Sequence, residues 1–185
     1  PSILPAFIGT LQLVGIAAII AVPIGVASAI FLVEYTNNKG KFVKIVQVAT
    51  ETLAGIPSIV YGLFGYLIFV VTFGWGYSML AGGITLAIMI LPTIVRSTQE
   101  SLLSVQSGLR EGAYALGTSK VRTIFKIVLP SAAGGIVTAI ILAIGRVVSE
   151  SAVLLLTINM VVNKVPETLM SPGTSLALDI YYFAS

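Results

Sequence analysis

An arginine lies inside one of the most apolar stretches of the chain: Arg146, sixteen residues beyond Pro130, with Glu150 four positions later. On a helix rising about 1.5 Å per residue, Arg146 stands roughly 24 Å beyond Pro130. A guanidinium at such depth in a bilayer costs about 3 kcal/mol on insertion scales, so it requires a wet or protein-lined surrounding. Its planar fork of donors matches the oxygens of a phosphate-like anion. Glu150, at i+4, would share its face and neutralise it. Two readings follow: a substrate pathway, or a buried Arg146–Glu150 pair that only joins helices. Arg96, at the end of another apolar stretch, has a similar choice between topological anchor and exit-side anion contact. Pro57 interrupts an apolar run, and the segment from Pro57-Ser58 would offer a half-helix N-terminus that favours anions. Alternatively it is a kink in a packing seam, with Ala54, Ser58 and Gly62 spaced four apart. Glu51 has no assigned role.

Other chemistry is excluded by what the chain lacks. It has no Cys and no His, which removes disulfides, Cys/His zinc sites, thiol nucleophiles and His-based triads. Gly112 and Gly117 have the gap of a phosphate-binding loop, but Thr118-Ser119 follow where Lys-Ser/Thr is required. No nucleophile–base pair is visible. The chain is read as a non-enzyme with no catalytic residue, metal, cofactor or nucleic-acid partner.

The elements that must position these groups are membrane spans. Hydrophobic residues make up 57% of the 185 and charged residues 9%, with a mean hydropathy of +1.05. Soluble domains carry roughly a quarter charged residues. Four stretches reach the length of about 20 apolar residues that a bilayer requires: 7–33, 45–73, 78–95 and 131–157. In lipid such segments satisfy their backbone only as helices, which predicts an all-α polytopic transmembrane bundle, one domain over 1–185. The chain starts at Pro1 with no signal-peptide pattern and stops after an apolar-aromatic run at 180–184, as an excerpt of a longer protein would. Lys39, Lys41, Lys44, Arg96, Arg110, Lys120, Arg122 and Lys126 fall on one side if the two polar connectors share it. The positive-inside rule makes that side cytoplasmic and puts the Gly74-Trp75-Gly76-Tyr77 turn at the outer interface.

The connector at 107–130 is the most informative segment. Ser107 is a plausible N-cap, and Glu111 suits a helix start. Leu109, Ala113 and Leu116 share a face, Gly117 can close the helix in the left-handed conformation, and Thr118 can cap the next. The second helix would turn Val121, Ile124, Phe125 and Val128 to the bilayer. A short amphipathic helix between spans suits insertion into a partner's groove, or a place on lipid headgroups.

Glu111, Ala113, Gly117, Ile127, Leu129 and Pro130 reproduce the EAA signature of ABC importer permeases at every spacing, with Gly112 where the second Ala usually stands. The chain resembles that family, which implies the MetI-like core of type I importers. By this resemblance Glu111, Gly112, Ala113 and Gly117, with Arg110 as a further contact, form the coupling helix that docks on a cytoplasmic ATPase. Leu53 to Gly65, Leu91 to Arg96, Gly145-Arg146 with Glu150, Leu154 to Thr157, and Ile180-Tyr181-Tyr182 resemble phosphate permeases, PstA-type more than PstC-type. The resemblance implies a phosphate importer of the prokaryotic inner membrane working by alternating access. Its partners would be a second permease, two ATPase subunits and an extracytoplasmic binding protein. One flanking span would be missing at each end of this chain. Another oxyanion such as sulfate or molybdate, and an ion-driven carrier or channel, stay open as alternatives.

Overall fold

The computed structural model describes residues 4–36, 40–151, 153–154 and 175–184. These are helical, with no strand among them. Helix α1 (Leu4–Ile30) runs through Pro23 and ends in a π-helical turn, Phe31–Tyr35. Helices α2 (Lys41–Ala54) and α3 (Ser58–Gly65) flank Pro57, and α3 continues in π geometry over Tyr66–Thr72. Helix α4 is Met79–Leu103, and α5 is Ser107–Ala115. Helix α6 (Lys120–Thr123), a π-helical stretch Ile124–Val128 and α7 (Leu129–Ser149) form one continuous run of 30 residues. Helix α8 is Leu176–Ala184. Three of these runs, 4–35, 79–103 and 120–149, are long and apolar enough to cross a membrane, and α2 with α3 makes a fourth if counted together.

Helix α4 is the hub. Ser78 caps it, its hydroxyl accepting from the Ala81 N–H at 3.1 Å, and most of its apolar residues are buried. Close glycine contacts set the directions. A β-carbon on Gly25 would come within 2.6 Å of Ile94, and one on Gly83 within 2.4 Å of Ile16, so α1 and α4 run parallel. Leu102 and Val105 share a cluster with Val128, Ala132 and Ile136, while Met89 and Ile90 share another with Ala143 and Val147. Helix α7 is therefore antiparallel to α4. At the end of the bundle away from α5, Gly74 (φ 70°) and Gly76 (φ 66°) turn the chain, and Trp75 stacks on Phe69 at 5.3 Å between centroids.

The all-α expectation agrees with this, and the helix ends add detail to the expected spans. Helix α4 continues for two turns past Val95, the expected end of the third span. Its polar residues Thr98 and Gln99 are buried in the bundle, so their polarity did not signal water. At Pro57, the expected interruption of the second apolar run, α2 and α3 meet at 95°. Pro57 lacks an N–H and pushes its predecessor out of helical geometry, and Gly55 weakens the helix further. Ala54, Ser58 and Gly62 therefore do not form one straight seam. The fourth helix stops at Ser149, and Glu150 is extended (φ −80°, ψ 128°). The expected end of that span at Thr157, the motif Leu154 to Thr157 beyond its first residue, and Lys39 lie outside the described residues.

Candidate translocation and coupling site

Arg146 sits in the last turn of α7, where a cation suits the helix dipole. Its neighbours Ala143 and Val147 pack beside Met89 and Ile90, which are near the middle of α4. The guanidinium is thus level with the centre of a membrane-length helix. It is half-buried, and the cluster that holds Ala143 and Val147 also takes in Tyr61 of α3, whose hydroxyl reaches back to α2. That hydroxyl donates to the Leu53 carbonyl at 2.5 Å, across the break at Pro57. The α2–α3 break and the last turns of α7 thus border one buried cluster.

Glu150 does not stand one helical turn above Arg146. Because the helix ends at Ser149, its carboxylate turns onward and accepts from the Val153 N–H at 3.3 Å. No Arg146–Glu150 ion pair forms among the described residues, which corrects the i+4 expectation.

Arg96 lies mid-way along the hairpin-side half of α4 and is partnered twice. Its Nη2 is 3.4 Å from Glu51 on α2, and its Nε is 3.5 Å from Glu100 on its own helix. The three charges line a polar groove of about 170 Å³ with Gln47, Thr50 and Gln99. Two carboxylates around one guanidinium leave the site negative, so an anion reaches Arg96 only by displacing them. Ser58 is the first residue of α3 and half-buried; Pro57 is exposed before it.

The hairpin between α4 and the 120–149 run is closed by a Schellman arrangement. The Thr118 N–H donates to the Ala113 carbonyl at 3.1 Å, the Gly117 N–H to that of Tyr114 at 3.0 Å, and Gly117 has φ 83°. The caps shift by one residue: Gln106 precedes α5 in place of Ser107, and Ser119, not Thr118, accepts from Arg122 N–H. Glu111, Gly112 and Gly117 are exposed, as is Leu116 at 87%, so Leu116 does not join Ala113 in the interior. Along the following helix Ile124 and Val128 are fully buried, whereas Val121 and Phe125 point outward. The expected lipid-facing set of four is thus split between the bundle and the surface. Arg110 turns inward. Its guanidinium donates to Glu34 at 2.9 Å, to the Leu102 carbonyl at 2.8 Å and to the Val105 carbonyl at 3.2 Å.

Residues 21–183 match the family described as binding-protein-dependent transport system inner membrane component. The chain belongs to this family. It is 43% identical over 147 residues to the phosphate transport system permease protein PstA 1 of Mycobacterium tuberculosis H37Rv, covering 80% of this chain and 47% of that protein. The probable ABC transporter permease protein YqgH of Bacillus subtilis is 41% identical over 155 residues, 80% of this chain and 50% of that one. PstA of Xylella fastidiosa is 37% identical over 152 residues, 82% and 53% respectively. The chain thus spans about half the length of the curated relatives it matches. Family membership and the all-α, membrane-length helices agree with the resemblance drawn from the EAA-like segment.

The sequence did not single out Glu34. Its signal was a lone carboxylate closing the first apolar run, with Arg110 the lone cation of α5.

Proposed function

We propose that this chain is the membrane-embedded core of a permease subunit in an ATP-driven importer of inorganic phosphate. The observation that carries the reading is the exposed hairpin 107–117, held by Gly117 between two membrane-length helices. Kinship with proteins named phosphate transport permeases supports phosphate as the cargo. In this reading the hairpin end is cytoplasmic, in a multi-pass protein of the prokaryotic inner membrane, and the aromatic turn at Trp75 faces outward. Glu111, Gly112, Ala113 and Gly117 form the element that an ATPase subunit grips.

The mechanism is alternating access. Closure of two ATPases moves the paired hairpins of this chain and a second permease. The continuous 120–149 run carries that movement to Arg146. Arg146 meets the anion at mid-depth, where its donors match phosphate oxygens. The α2–α3 break supplies backbone groups that a straight helix would keep to itself. Arg96, held by Glu51 and Glu100, lies on the exit side and is exchanged for them as the anion passes. An extracytoplasmic binding protein delivers the cargo.

The test is uptake of labelled phosphate by proteoliposomes holding the complete complex. Uptake that needs the ATPase subunits and ATP, and that sulfate and molybdate do not compete, is the expected result. Uptake without nucleotide would overturn the importer reading. Competition by sulfate would reassign the cargo and keep the machine.

A further inference from the structure

Two consecutive residues at the end of α1 hold both limbs of the hairpin. The Glu34 carboxylate, its side chain 5% exposed, accepts from Arg110 of α5, whose guanidinium also donates to the Leu102 carbonyl near the end of α4 and to that of Val105 just beyond it. The Tyr35 ring lies under the Lys120 ammonium, 4.8 Å from its centroid, and Lys120 opens the helix beyond the hairpin. Both residues belong to the π-helical turn Phe31–Tyr35. Such turns are rare in helices and recur at functional sites.

A buried ion pair is a poor device for stability, because desolvation offsets most of its attraction. Its distinctive property here is connection. One guanidinium joins α1, α4 and α5 through partners far apart in sequence. Helix α1 in turn packs along the length of α4, and at the other end of the bundle its Thr10 hydroxyl accepts from the Leu176 N–H of α8 at 3.0 Å. The hairpin is therefore connected to the far end of the bundle through α1 as well as through α7.

We propose that Glu34 and Arg110 are a positioning pair that transmits hairpin movement to α1, so that the amount of ATP consumed per solute moved depends on them. This rests on the importer reading and adds a transmission route to it. Neither residue has to touch the solute. The pair acts through the helix that it holds.

The experiment uses the complete complex in proteoliposomes, with ATP hydrolysis and labelled phosphate uptake measured on the same vesicles. Glu34→Gln keeps the shape and removes the charge. Hydrolysis should stay within about twofold while uptake falls about tenfold, the size of a moderate coupling free energy. Arg110→Gln added to Glu34→Gln should change the ratio little further, since both act through one contact. Hydrolysis and uptake falling together at an unchanged ratio, or neither changing, would overturn the proposal. If Glu34→Gln fails to assemble, Glu34→Gln/Arg110→Met, which leaves no buried charge unpaired, gives the same readout. Failure of that variant too would make the pair a folding element and overturn the proposal. Wild-type uptake indifferent to ATP would sink the importer reading and this proposal with it, whereas an unchanged ratio in the variants of an ATP-dependent complex would sink the proposal alone.

Discussion

Arg96 on α4 and Glu51 on α2 stand 3.4 Å apart, and the contact fastens the first half of a broken span to the hub helix. Both side chains are about half exposed (47% and 57%), so the pair contributes at most about 1 kcal/mol. Its interest lies in the charge it masks. Glu100→Gln should leave uptake within about twofold, because Glu51 still holds Arg96. The double variant Glu51→Gln/Glu100→Gln bares the guanidinium, which the proposed pathway places at the anion's exit. Phosphate should then dwell there, and initial uptake rates should fall about fivefold or more. Unaltered rates in the double variant would remove Arg96 from the exit route.

Arg146→Gln keeps a polar side chain of similar reach and discards the charge. Transport should be lost while the complex still assembles, checked by co-purification and by uptake. Full uptake would take Arg146 out of the pathway.

Gly117 has open space around its Cα, so its constraint is the left-handed backbone alone. Gly117→Ala should strain the turn by about 1–2 kcal/mol, and Gly117→Asn by less, since Asn tolerates that conformation better. Gly117→Asp adds a charge on the docking face and should detach or uncouple the ATPase. The order Asn, Ala, Asp in retained ATPase co-purification checks this, and equal retention in all three would contradict it.

Gly134 and Gly135 are adjacent with opposite surroundings. A β-carbon on Gly135 would sit 2.3 Å from the Ser101 hydroxyl oxygen, whereas one on Gly134 would meet nothing within 4 Å. Gly135→Ala should lower stability by about 1–3 kcal/mol through overpacking. Gly134→Ala should be neutral or slightly stabilising, and Ser101→Ala should relieve Gly135→Ala. Thermal unfolding in detergent reads all three.

The sequence carried the parts whose signal is local. Glu111 to Gly117 were legible because small residues, a left-handed glycine and its caps sit within one short window, and the caps erred only by one position. Apolar length exposed the spans. The ends of α4 and α7 were not legible, because Thr98 and Gln99 are polar yet buried in the bundle, and because nothing in the letters around Ser149 marks the stop. At Pro57 a half-helix start and a kink both stayed open, since proline gives no measure of angle: Pro23 and Pro92 are accommodated in unbroken helices. Glu34 and Arg110 are 76 positions apart, so only the packing of α1 against the hairpin brings them together.

The unbroken course from Lys120 to Ser149 has a geometric corollary. Lys120 and Arg146 are separated by about 39 Å of helix axis. If the run turned as one body through its π-helical stretch, a tilt of about 10° at its foot would sweep the guanidinium by roughly 7 Å. If the importer reading holds, such a lever would turn a small tilt at the hairpin into a sideways shift of Arg146 comparable to the length of its own side chain.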